Sequence, residues 1–151
     1  MASLAHPRLT LRLIFVCSAA VAAAALAFAA AAQQSFKIRL RPVPIEASTA
    51  ANTTGAGEAF AELSGSRLTL RGNFAGLKGA ATTAQLHQGP VMGVRGPAIA
   101  DVMVPAATNG TFTAEVALTA AQVEGLKQGQ IYLQIHSQTA PDGNLWGWLV
   151  P

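Results

Sequence analysis

Residues 109–137 read NGTFTAEVALTAAQVEGLKQGQIYLQIHS, and the change of hydrophobic period within them decides the fold. Asn109-Gly110 is a strong tight-turn signal, and after it Phe112, Ala114, Val116 and Leu118 recur at every second position. That period of two belongs to a strand with one face turned inward. Thr119-Ala120-Ala121-Gln122 then fits a capping box, in which Thr119 binds the amide of Gln122 and Gln122 reaches back. Val123 and Leu126 supply one apolar side, and Gly129 ends the turn, so the helix is brief. Period two resumes at once in Ile131, Leu133 and Ile135. A short capped helix between two strands is predicted.

The same pattern extends outward in both directions. Phe36 to Arg41 alternates apolar residues with Lys37, Arg39 and Arg41, and Pro42 and Pro44 end that strand or leave it on an edge. A weaker strand follows from Glu58 to Leu63, and Ser64-Gly65-Ser66 turns the chain into Arg67 to Phe74. Ala80 to His87 and Ile99 to Val104 are predicted strands joined by a loop from Gln88 to Ala98. Ile131 to Ser137 and Leu145 to Val150 form a closing hairpin across Pro141-Asp142-Gly143-Asn144. All 14 glycines and seven of the eight prolines lie after residue 32, between these runs. The expected architecture is all-β: a Greek-key β-sandwich or barrel of about eight antiparallel strands with one short helix.

The segment 1–32 has a different character. His6, Arg8 and Arg12 precede an apolar run from Leu13 to Ala32, which ends in Ala30-Ala31-Ala32 before Gln33-Gln34. This is the pattern of a secretory signal with a small-residue cleavage site. An uncleaved anchor is the competing reading, because 20 apolar residues suffice to span a bilayer. Eleven of those 20 are alanine, however, which partitions weakly into hydrocarbon. The chain is therefore divided into a signal peptide, 1–32, and one domain, 33–151. The expected location is the periplasm or the extracellular space, with no membrane insertion after cleavage. Cys17, the only cysteine, precedes most of the apolar run, so the domain has no thiol for a disulfide, a metal or a nucleophile.

Composition excludes several classes of function. The chain of 151 residues is 51% hydrophobic but only 11% charged and 6% aromatic. Its net charge of +3 falls to +1 once Arg8 and Arg12 are removed, leaving eight basic against seven acidic residues. No basic stripe for nucleic acid remains. There is no G-x-S-x-G elbow, and the loop from Gly89 to Gly96 lacks the Lys-Ser/Thr ending of a phosphate loop. Glu58 and Glu62 are expected on a solvated strand. Lys37, Arg39 and Arg41, like Arg67 and Arg71, are expected to protect sheet edges. The leading reading is a non-catalytic module, with a redox-active metalloprotein as the alternative.

From about Phe36 to Val150 the chain resembles the CHRD domain family. Residues 80–90, AATTAQLHQGP, with Gly93, Gly96 and Pro97, are similar to its A-x-x-A-H-I-H-x-G stretch and the G-x-x-G-P that follows. Residues 118–123, with Leu126, Gly129 and residues 131–137, are similar to L-T-x-x-Q-x-x-x-L-x-x-G-x-x-Y-V-N-V-H-T. Residues 141–149, PDGNLWGWL, are close to P-x-G-E-I-R-G-Q-L. The family's H-I-H reads Gln85-Leu86-His87 here and its R-G reads Trp146-Gly147, so one histidine and one arginine of the pattern are replaced. The resemblance implies a Greek-key β-sandwich and extracellular binding rather than catalysis.

Strand period places the candidate site residues. With Ile131, Leu133 and Ile135 inward, Tyr132, Gln134 and His136 face the other way. With Thr82, Ala84 and Leu86 inward, Thr83, Gln85 and His87 do likewise. Two Gln-x-His pairs thus share an orientation, and adjacent strands would bring His87 and His136 together with Gln85 and Gln134. Such a cluster suits a polar ligand or a metal centred on His87 and His136: zinc if a carboxylate such as Asp101 or Glu115 completes the set, or copper held weakly by the two imidazoles with water ligands, a centre open to redox chemistry. Hydrogen-bonded structural histidines with no cofactor are the plainer expectation. Trp146 and Trp148 share a face and are expected as core or a sheet-covering layer; the alternative is stacking on a glycan or on a protein partner's apolar surface.

Overall fold

The computed structural model describes residues 33–44, 47 and 49–150. The predicted signal segment, 1–32, lies outside the described residues. Eight strands form one antiparallel sheet: β1 (Gln34–Pro42), β2 (Ala56–Ser64), β3 (Arg67–Ala75), β4 (Ala81–Gln88), β5 (Ala98–Val102), β6 (Gly110–Ala117), β7 (Ile131–Ser137) and β8 (Ala140–Trp148). Among the described residues a single α-helix, α1 (Ala120–Lys127), joins β6 to β7. The strand order is β5-β4-β7-β8-β1-β2-β3-β6, and the two outermost strands touch, so the sheet curls into a nearly closed barrel. Curling leaves a short seam in place of two long free edges.

The interior follows the alternation. Phe36, Ile38 and Leu40 of β1, Ala59, Ala61 and Leu63 of β2, and Leu68, Leu70 and Phe74 of β3 are buried. They meet Ala84 and Leu86 of β4, Ile131, Leu133 and Ile135 of β7, and Leu145 of β8 in one cluster. Burying a side chain of this size contributes about 1.5–3 kcal/mol. Helix α1 closes one end with Leu126, fully buried. Its capping box forms as the sequence dictates: the Gln122 amide donates to Thr119 Oγ1 at 3.3 Å and the Thr119 amide donates to Gln122 Oε1 at 2.8 Å. Gly129, at φ +68°, then reverses the chain into β7.

Three expectations are corrected. The charged faces of β1 and β3 do not guard edges, because both strands lie inside the order. They clothe the solvent face of the sheet instead. Lys37 lies 3.8 Å from Glu58, Arg67 pairs with Glu115, and Lys37 and Arg71 flank the Phe60 ring. Thr82 is exposed rather than inward, because a register shift between Ala81 and Thr83 gives Ala81 the buried position. The closing hairpin does not turn at Pro141–Asn144. It turns at Gln138-Thr139, where Ser137 faces Ala140 and the Ala140 amide donates to Ser137 Oγ at 3.2 Å.

Candidate functional site

The displaced Pro-Asp-Gly-Asn segment builds one wall of the site. Ile135 faces Leu145 and Ser137 faces Ala140, so one residue of β7 spans the same interval as four of β8. Residues 141–144 therefore bulge out of the strand. Asn144 anchors the bulge from inside: it is buried, its Nδ2 donates to the Thr54 carbonyl at 2.6 Å, and its Oδ1 accepts from Ser137 Oγ at 3.0 Å. Bulging frees the Pro141 and Asp142 carbonyls from the ladder and turns them toward the side chains of β7. His136 Nδ1 bonds the Pro141 carbonyl at 2.8 Å, and Gln134 Nε2 donates to the Asp142 carbonyl at 3.1 Å. At Gly143 the backbone has φ +127°, and a Cβ there would stand 2.5 Å from Gln134 Nε2.

The loop between β4 and β5 builds the opposite wall. It folds back over β7, with the Gly96 amide donating to Tyr132 Oη at 3.1 Å and the Gln88 amide donating to the Pro97 carbonyl at 3.1 Å. Arg95 Nη1 reaches across to donate to the Asp142 carbonyl at 2.9 Å, joining loop to bulge. Its guanidinium carbon also stands 6.0 Å from the centre of the Trp146 ring. Tyr132 and Gln134 point away from the barrel core, yet they are only 1% and 2% exposed because of this cover.

The register assembles the predicted residues on three adjacent strands. Gln85 faces Gln134, His87 faces Tyr132, Gln134 faces Trp146, and Tyr132 faces Trp148. His87 stacks on Tyr132 with ring centres 4.9 Å apart and planes 12° apart, and its ring lies 6.3 Å from that of His136. Trp146 and Trp148 are half-buried on this outer face, packed against Tyr132 and edge-to-face with each other. They cover the sheet and contribute nothing to the barrel core.

Gln85 and the candidate carboxylates do not join the histidines. Gln85 Nε2 donates to Asp101 Oδ1 at 2.8 Å, so the two polar side chains are engaged with each other. Glu115 pairs with Arg67 on the β3–β6 side of the sheet. Among the described residues, no group of three or more His, Cys, Asp or Glu side chains converges on a metal position. Arg95, Gly96, Pro141 and Asp142 are not among the site residues expected from the sequence. Their part depends on a loop and a bulge meeting over β7, and the only local hint was the glycine-rich composition of both segments.

Hydrogen bonding fixes the protonation of the cluster. A carbonyl oxygen only accepts, so His87, whose Nδ1 lies 3.0 Å from the Gly96 carbonyl, carries its proton on Nδ1. The same reasoning puts the His136 proton on Nδ1, facing the Pro141 carbonyl. Both Nε2 atoms are then lone-pair donors. Gln134 Nε2, 3.4 Å from His136 Nε2, donates to it as well as to the Asp142 carbonyl, which leaves Gln134 Oε1 on the other side of the amide. Gln134 Oε1 and His87 Nε2 are both buried with no hydrogen-bond partner. A buried acceptor left in that state costs about 1–3 kcal/mol. Burial holds the His87 pKa below the usual histidine value; the bond to Gly96 opposes this, and repulsion from Arg95, and from His136 whenever that ring is protonated, adds to it. Neutral His87 is the favoured form.

Together these groups line an open depression of about 540 Å³, with His87, Tyr132, Gln134 and His136 contributing side chains between Arg95 and Gly96 on one wall and Pro141 and Asp142 on the other. Its chemistry is mixed: two unpartnered acceptors, His87 Nε2 and Gln134 Oε1, lie buried beside Arg95 and Asp142, and neither imidazole bonds a carboxylate. Such a cavity suits a ligand that donates hydrogen bonds or accepts electron pairs. In comparison with known proteins, the family model of the CHRD domain matches residues 36–149. No curated protein and no solved structure gives a significant match.

Proposed function

This chain belongs to the CHRD domain family, and on that premise we propose that it acts as an exported, non-catalytic binding module whose ligand occupies the depression over β4, β7 and β8. The observation that carries this reading is the pair of buried, unpartnered acceptors, His87 Nε2 and Gln134 Oε1, beneath a loop that is itself hydrogen-bonded in place. A ligand satisfying both atoms would recover much of the free energy they cost in its absence.

The non-catalytic part is supported by the composition of the site. Neither imidazole is oriented by a carboxylate, and no Ser, Thr or Cys side chain lines the depression to serve as a nucleophile. A glycan or protein partner is supported by the half-exposed Trp146 and Trp148 and by Val91, Met92 and Val94, which the β4–β5 loop leaves exposed beside the site. Export is supported by the basic start, the apolar run and Ala30-Ala31-Ala32 within residues 1–32. Among the described residues no helix is long and apolar enough to cross a membrane.

Two measurements test the proposal. Fractionation with N-terminal sequencing is expected to recover a chain beginning at Gln33 outside the cytoplasm; an intact chain retained inside would contradict export. Tryptophan emission, titrated with transition-metal ions and with a glycan panel, is expected to change on binding because Trp146 and Trp148 contact Tyr132 at the edge of the site. The change is expected to disappear in Gln134→Leu. Unchanged emission across both panels would sink the binding reading.

A further inference from the structure

We propose that the ligand of this module is an acidic polysaccharide, laid along β8 and β1 with its carboxylates on Arg39, Arg41 and Arg95 and its sugar rings on Trp146 and Trp148. This rests on the reading of the two tryptophans as part of a ligand site; it names the ligand class and adds β1 to the site. The carrying observation is an indole approached by a guanidinium from each neighbouring element. Arg41 of β1 faces Trp146 of β8 directly in the sheet register, so their side chains leave the same surface as neighbours. From the loop over β7, the Arg95 guanidinium carbon stands 6.0 Å from the centre of the same ring.

The strip continues along both strands. Strand alternation sends Trp148 and Arg39 to the same outer face as Trp146 and Arg41. Gly147, between the indoles, lies against β1: a Cβ there would stand 2.8 Å from the Arg39 carbonyl. The indoles meet edge-to-face with ring centres 5.7 Å apart. Their exposed faces carry partial negative charge, which attracts the C–H groups of a sugar ring. Both are half-buried and packed down on Tyr132, which suits stacking of a flat ring and not insertion between lipids. Beside the arginines the small residues Ala56 and Gly57 leave an open hollow of about 550 Å³, bounded by Arg39, Arg41, Glu58 and Asn73.

Charge selects an acidic partner. Among the described residues Arg39 and Arg41 are exposed and form no ion pair. The Glu58 carboxylate at the edge of the hollow is matched by Lys37, 3.8 Å away. Arg95 gives one N–H to the Asp142 carbonyl, and the rest of its donor fork is open. Lys37, Arg39, Arg41 and Arg95 stand against Glu58 and Asp142, so the strip is cationic. A guanidinium takes a carboxylate through two parallel hydrogen bonds, which an uncharged sugar hydroxyl does not reproduce. Aromatic faces alternating with unpaired guanidinium groups therefore fit a chain of sugar rings that carry carboxylates.

The test titrates the processed protein with oligogalacturonate and with neutral oligosaccharides of matched length, read by calorimetry and tryptophan emission. Oligogalacturonate is expected to bind about tenfold more tightly or better, with affinity falling as salt rises. The double variant Arg39→Gln/Arg41→Gln keeps long, polar, exposed side chains, so the fold is expected to persist. It is expected to weaken oligogalacturonate binding by about tenfold or more and to leave neutral glycans unaffected. Arg67→Gln removes a cation paired with Glu115 elsewhere on the sheet and is expected to change nothing. Equal affinity for acidic and neutral chains, unchanged affinity in the double variant, or an equal loss in Arg67→Gln would each overturn the proposal. So would a sulfated chain, or vesicles of anionic lipid, bound through Arg39 and Arg41 where oligogalacturonate is not. Failure here is distinguishable from failure of the module. Neutral glycans bound as tightly, with the response abolished in Gln134→Leu, retire the acidic ligand and leave the module. Oligogalacturonate binding that needs Arg41 but survives Gln134→Leu retires the depression and leaves the strip.

Discussion

At Gly143 two constraints coincide: the backbone is in a region that side chains rarely enter, and a Cβ would meet the Gln134 amide. Gly143→Ala is expected to lower stability by about 1–3 kcal/mol, from backbone strain alone. Urea denaturation would show this as a lower midpoint with an unchanged slope; an unchanged midpoint would contradict the close packing of bulge and site. At His87 the effect depends on pH. Its folded pKa lies below the unfolded value of about 6.5. Above that value the imidazole is neutral in both states, and the stability associated with the neutral form is fully present. As pH falls toward the folded pKa, the unfolded chain binds a proton that the fold resists, so stability declines, then levels off below it. Unfolding midpoints of the metal-free protein between about pH 7.5 and 5 are expected to fall more steeply in wild type than in His87→Asn. Parallel slopes would argue against a desolvated His87.

Among the elements, α1 was fully legible because its determinants are local. Thr119 and Gln122 satisfy each other within four residues, whatever the rest of the chain does. Thr119→Ala is expected to cost about 1 kcal/mol, measured by thermal or urea unfolding. The β8 bulge was not legible for the opposite reason. Pro-Asp-Gly-Asn suits a turn and a bulge equally well, and the choice is made by Ser137 and by Thr54, the latter 90 residues from Asn144 in sequence. The outward orientation of both Gln-x-His pairs followed from strand period, whereas the engagement of Gln85 by Asp101 required knowledge of the β4–β5 pairing. Alternation says which way a residue faces; it does not say which strand lies beside it.

For the whole domain, the all-β class and the number of strands were readable from turn spacing, but the strand order was not. β4 meets β7, β8 meets β1 and β3 meets β6 through pairings distant in sequence. The mistaken placement of the β1 and β3 charges at edges is the same limit seen from outside. One continuous core running through these pairings implies that the domain unfolds as a unit. Leu133→Ala, at a fully buried position on β7, is expected to destabilise it by about 2–5 kcal/mol. Far-UV circular dichroism and tryptophan emission are expected to report the same transition in wild type and variant. Separate transitions would show that the sheet half carrying the site is held independently of the other.

The central claim is that the fold holds both imidazoles at the depression through an Nδ1 proton donated to a backbone carbonyl. Long-range ¹H–¹⁵N correlation spectroscopy of the metal-free protein near pH 7.5 tests it directly. The account predicts the Nδ1–H tautomer for both His87 and His136, with a hydrogen-bonded Nδ1 proton in each ring. An Nε2–H tautomer in either ring would contradict it, because the Nδ1 donors that hold the rings would not be there.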